Sequence, residues 1–105
     1  MKRAQSYEKE LKKELKDPAQ AAGYLRAAYE DPDRRVFLLA LKDVIEAHSG
    51  ISRIAQAAKL DRRHLYVMLS KDGNPEWFSV SRLLNALGLQ LTFQPKPHHQ
   101  TKLAA

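Results

Sequence analysis

Two Asp-Pro dipeptides, Asp17-Pro18 and Asp31-Pro32, cut the first third of this chain into short segments and bar any long continuous helix. The residue before a proline resists helical geometry while proline itself suits a first helical turn, so each pair ends one helix and begins another. The apolar residues between these breaks recur at helical spacing. Tyr7, Leu11 and Leu15 stand four apart among Lys and Glu, a narrow stripe on a charged helix over 6–16. A second helix over 18–30 turns Tyr24, Leu25 and Ala28 to one side, with Gly23 a mild weakness. The most apolar stretch, VFLLALKDVIEAH, places Phe37, Leu38, Leu41, Val44 and Ile45 on one broad face and predicts the central core helix, ended at Ser49-Gly50.

Two short helices follow, ISRIAQAA and RRHLYVMLS, separated by Lys59-Leu60-Asp61, with Asp61 placed to cap the second. Residues 71–78 contain Gly73-Asn74-Pro75 and read as a loop. Ser79 then suits the cap of a last helix over 80–87, closed by Gly88. In LQLTFQ the apolar Leu89, Leu91 and Phe93 alternate with Gln90, Thr92 and Gln94, which is strand periodicity. The expected fold is all-α, five or six helices plus a short C-terminal β-strand.

A chain of 105 residues supports one compact core. The expected organisation is an N-terminal helical extension over 1–17, a main domain over 18–95, and a tail over 96–105 with little to bury. Eighteen Lys and Arg against twelve Asp and Glu leave a formal charge of +6, which favours polyanionic partners. No cysteine is present, which removes disulfides, thiolate metal sites and cysteine nucleophiles and fits a reducing, cytoplasmic home. No apolar run approaches the roughly 20 residues of a spanning helix, so no membrane partner is expected.

The two short helices carry the pattern of a helix-turn-helix. Such a unit needs a small residue where its helices cross and apolar residues that lock the second helix onto the core. Ala55 stands at the crossing; Ile54, Ala58, Leu60, Leu65 and Met68 supply the inward face. The turn departs from the usual glycine at Lys59, so a residue with a side chain must bear a left-handed conformation there, at a cost of about 1 kcal/mol.

The outward face suits the major groove, where guanine shows two acceptors that arginine grips bidentately. Arg62, Arg63, Tyr66 and Val67 are the base-reading candidates, with Val67 matched to a thymine methyl. Arg53, Lys59, His64 and Lys71 are placed for backbone phosphates, and Tyr66 shares that option. The competing reading is two solvated amphipathic helices with a basic face.

Other chemistry is weakly supported. His48, His64, His98 and His99 lack ligand spacing, so no metal or other cofactor is expected. No acid–base pair is placed by a common element, which argues against an enzyme such as a small basic ribonuclease. Trp77 and Phe78 read as core residues of the last helix, the alternative being stacking on a nucleobase.

FLLALKDVIEA, the LDRRHLYVMLS helix, the DGNP loop and the closing LLNALGLQLTF, in this order and spacing, resemble the probable addiction-module antidote proteins, Hig-type antitoxins with a Cro/C1-like helix-turn-helix. The resemblance runs from about Pro18 to Pro95. It implies a type II antitoxin that neutralises a RelE/ParE-like toxin, generally an mRNA-cutting enzyme, and represses the shared operon as a dimer. The family's recognition helix carries over to residues 62–70; no toxin-contact residue carries over. The stripe of Tyr7, Leu11 and Leu15 is the toxin-contact candidate on its apparent exposure alone, with docking onto the core as the alternative.

For the homodimer, Leu83, Leu87, Leu89, Leu91 and Phe93 are the interface candidates, since strand pairing across a two-fold axis satisfies an otherwise open edge. Three functions stay open: an antitoxin-repressor, a free-standing regulator on the same DNA site without a toxin, and an RNA-directed protein.

Overall fold

The computed structural model describes residues 4–97, and these form six α-helices. They are α1 (Gln5–Leu15), α2 (Pro18–Tyr29), α3 (Arg34–His48), α4 (Ile51–Ala58), α5 (Arg62–Met68) and α6 (Trp77–Ala86). The Asp-Pro breaks fall between helices, and the acidic side chains beside them do the capping. Asp17 accepts the Ala19 N–H at 3.0 Å, and Asp33 accepts that of Arg35 at 3.0 Å, each satisfying a donor the first helical turn leaves open. Asp33 also holds the Arg35 guanidinium at 2.8 Å. Hydrogen bonds from the Arg35 side chain, then from its backbone, hold the Asp33 carboxyl below its ordinary value. This exposed pair is therefore present above the usual aspartate range and is lost only as pH falls through the lowered value.

α3 is the organising element. α1 and α2 pack on it and on each other, and α4 follows it and carries both α5 and α6. Leu38, Leu41, Val44 and Ile45 are buried as their spacing predicts, whereas Phe37 is half-buried and meets Tyr29 edge-on at 5.9 Å. α2 buries Leu25 and Ala28 and leaves Tyr24 half-buried, its hydroxyl donating to the Asp43 carboxylate at 2.7 Å. That bond brings a charged residue of α3 into the core with a partner.

Leu11 and Leu15 of α1 are buried in the same core cluster, and Tyr7 is exposed. The N-terminal stripe is thus covered from within by α2 and α3 along most of its length. No strand occurs among the described residues. The Leu89 N–H donates to the Leu84 carbonyl and that of Gly88 to the Asn85 carbonyl, a helix-closing pattern with Gly88 at φ +78°. Leu89 is thereby committed to the end of α6, and residues 90–97 have no strand to pair with among the described residues.

α6 also begins earlier than its sequence suggests. Its cap is Glu76, without a side-chain hydrogen bond, and Ser79 lies inside the helix. Pro75 holds Asn74 out of helical geometry and frees the chain to coil directly after it. The early start moves Trp77 and Phe78 into the first turn, where they are 55% and 77% exposed rather than in the core. Phe78 shares its face with the exposed Arg82 and Asn85, while the inward positions go to Leu83, Leu84 and Leu87. Residues 98–105, which include His98, His99 and most of the expected tail, lie outside the described residues.

Candidate nucleic-acid interface

The α4–α5 unit is built by local chemistry. α4 ends with the Leu60 N–H on the Ala55 carbonyl at 2.8 Å and the Lys59 N–H on the Gln56 carbonyl at 3.1 Å. This closure requires a left-handed residue between them, and Lys59 supplies it with φ 57° and ψ 45°, alone among the described non-glycine residues. Asp61 then restarts the chain, its carboxylate accepting the His64 N–H at 3.0 Å. Lys59→Gly is expected to relieve the left-handed strain and raise stability by up to about 1 kcal/mol, net of glycine's greater freedom when unfolded. An unchanged or lower urea midpoint would show that Lys59 sits there without strain.

The inward side is continuous. Ile51, Ile54, Ala55 and Ala58 of α4 and Leu65 and Met68 of α5 are buried, joined by Leu69 just past the helix end, and Leu60 is half-buried. Ala55 fits the closest approach because a larger side chain would hold the helices apart. The outward side is equally consistent: Arg53, Lys59, Arg62, Arg63, His64, Tyr66, Val67 and Lys71 are all exposed. None of these cations forms an ion pair with another described residue. Asp61, Arg62, Arg63, Tyr66 and Val67 line an open hollow of about 570 Å³. Within it the Arg62 guanidinium lies 5.7 Å from the centre of the Tyr66 ring.

The loop behind α5 holds residues that sequence reasoning passed over. The Gly73 N–H donates to the Ser70 carbonyl at 2.8 Å, and a side chain at Gly73 would run into the carbonyl groups of the last α5 turn. Asn74 accepts from the Arg34 guanidinium at 3.2 Å, which ties this loop to the start of α3. The glycine was visible as loop punctuation; the Arg34–Asn74 link spans 40 residues and leaves no local signal.

The other candidates separate by burial. Leu83 and Leu87 belong to the monomer core, Leu89 is half-buried, and Leu91 and Phe93 are exposed, Phe93 at 86%. Of the N-terminal stripe, Tyr7 is exposed and Leu11 and Leu15 are not. No His, Asp or Glu group among the described residues could hold a metal ion, and none of their helices is long and apolar enough to cross a membrane.

Residues 5–95 match the model of a family described as "Probable addiction module antidote protein". An uncharacterised protein of Haemophilus influenzae is 35% identical over 71 residues, which cover 68% of this chain and 72% of the relative. No solved structure matches significantly. The family match spans all six helices and the segment after them, so the chain belongs to the probable addiction module antidote family.

Proposed function

We propose that this protein is the antitoxin of a type II toxin–antitoxin module, that it neutralises a RelE/ParE-like toxin, and that it represses its own operon through α4–α5 as a DNA-binding helix-turn-helix. The observation that carries the DNA reading is the division of α4–α5 into a locked apolar side and an open side. That open side carries four arginines and lysines from 53 to 63, with Lys71 beside them, and none has an internal carboxylate partner. Cations held in this state are available to phosphates and base edges, and α5 is narrow enough for the major groove. The antitoxin reading rests on the family. Tyr7 is the member of the α1 stripe that a toxin can reach without opening the core.

The repressor acts as a homodimer whose two recognition helices read half-sites about 34 Å apart. Leu91 and Phe93, both exposed, supply the contact, with residues 90–94 pairing antiparallel to the same residues of a second copy. Centred on Thr92, that pairing sets Leu91 opposite Phe93 and brings no charge against a like charge. Monodisperse monomer by light scattering at micromolar concentration contradicts it.

The test is coexpression of the tagged chain with its immediate genomic neighbours, followed by binding of the purified material to its own upstream DNA. The expected result is a small copurifying partner and specific promoter binding. Promoter binding without a partner leaves a free-standing regulator, and the absence of both partner and promoter binding overturns the proposal. On that upstream DNA, Arg63→Ala is expected to cost about 1–3 kcal/mol and relax base preference, while Lys71→Ala weakens all duplexes alike. Equal losses for Arg63→Ala on specific and random DNA would contradict its base-reading role.

A further inference from the structure

Arg62 and Arg63 are adjacent, both exposed and alike in sequence terms, yet the fold treats them differently. One helical turn beyond Arg62 stands Tyr66, and the guanidinium lies over its ring at 5.7 Å. One turn beyond Arg63 stands Val67, which has no π face to offer. Tyr66 is itself half exposed, so this contact adds little to the core. Its effect falls on the freedom of Arg62, a side chain that otherwise loses much rotamer entropy when it grips a base.

We propose that Tyr66 is a positioning residue that holds the Arg62 guanidinium ready for bidentate recognition of a guanine, making Arg62 the stronger base reader of the pair. This rests on the DNA-binding reading of α4–α5 and assigns roles within it. The Arg62 guanidinium carbon lies over the ring face, 5.7 Å from its centre, and Arg62 makes no ion pair with another described residue, so its N–H donors are available to the two guanine acceptors. The Tyr66 hydroxyl has no part in this arrangement. Arg63 reaches its base from an unrestrained ensemble and discriminates less.

The experiment selects a preferred site from a pool of duplexes with a randomised core, using the full-length chain. It then measures binding of variants to that site and to single-base replacements of each guanine. Tyr66→Leu is expected to reduce the preference for one guanine about two- to fivefold, the range that an exposed cation–π contact supports. The thermal midpoint should stay unchanged, since Tyr66 is half exposed and adds little to the core. Tyr66→Phe, which keeps the ring, should retain the preference. The Tyr66→Leu effect should vanish in an Arg62→Ala background and persist in an Arg63→Ala background.

If Tyr66→Phe loses as much as Tyr66→Leu, the hydroxyl is the working group and the proposal is overturned. Equal Tyr66→Leu losses in both arginine backgrounds overturn it as well, as does no loss from Tyr66→Leu in the wild-type background. If the wild-type chain selects no sequence at all, the DNA reading falls first. A selected site indifferent to Tyr66 removes only the positioning role.

Discussion

Leu65→Ala is expected to lower stability by about 2–5 kcal/mol and to abolish sequence-specific DNA binding at temperatures where the rest of the fold persists. Leu65 is fully buried in a helix of 7 residues. A helix that short does not hold itself in water, since isolated helices below about 12–15 residues are marginal. Among the helices α5 packs only on α4, so its position depends on the side chains it sends inward, Leu65 and Met68. Truncation removes transfer energy, leaves a cavity and frees the element that carries Arg62, Arg63, Tyr66 and Val67. The check is thermal unfolding followed by circular dichroism, alongside binding to the selected duplex. A thermal midpoint within a few degrees of wild type would contradict the burial argument, because a loss of this size shifts it by at least about 8 °C. A stable variant with full base discrimination would show that α5 is placed by something other than Leu65.

Gly73→Ala is expected to cost about 1–3 kcal/mol or more and to weaken DNA binding although residue 73 touches no DNA in the proposed complex. A Cβ at this position falls on the Met68 carbonyl group and 2.9 Å from the Val67 carbonyl oxygen. Both carbonyls belong to the last turn of α5, and backbone cannot swing aside as a flexible side chain can. Either the loop retreats, straining the Ser70–Gly73 and Arg34–Asn74 hydrogen bonds, or the turn bearing Val67 rotates. Gly23→Ala is the matched control: it lies within α2 with nothing inside 4 Å of its added Cβ. There, alanine should stabilise by about 0.5–1 kcal/mol. Paired melting curves decide the point. Equal stabilisation by both substitutions would mean that the loop is free to move away from α5.

The features legible in the sequence are those settled within a few residues. Asp-Pro breaks, the Asp61 cap and the left-handed Lys59 each depend on contacts spanning five residues or fewer, and all appear where they were expected. The apolar faces of α3, α4 and α5 follow for the same reason, since helical period assigns each residue a side before any neighbour is known. The open face of α5 is the complement of its buried one, so the placement of Arg62, Arg63, Tyr66 and Val67 on the surface came with it.

Tertiary structure decided what lies against each face. A stripe such as Leu11 and Leu15 has the same pattern whether another helix of the chain or a partner covers it, and here α2 and α3 do. Leu83 and Leu87 were absorbed into the monomer core in the same way, while Trp77 and Phe78 were left outside by a helix that started three residues early. Alternation from Leu89 to Phe93 did not make a strand, because a strand is defined by a neighbour and the described residues offer none. The Tyr24–Asp43 and Arg34–Asn74 bonds join residues 19 and 40 apart and carry no sequence trace. Local periodicity and capping determined which side of each helix is apolar; only the packing of distant segments determined which of those sides remained open to a partner.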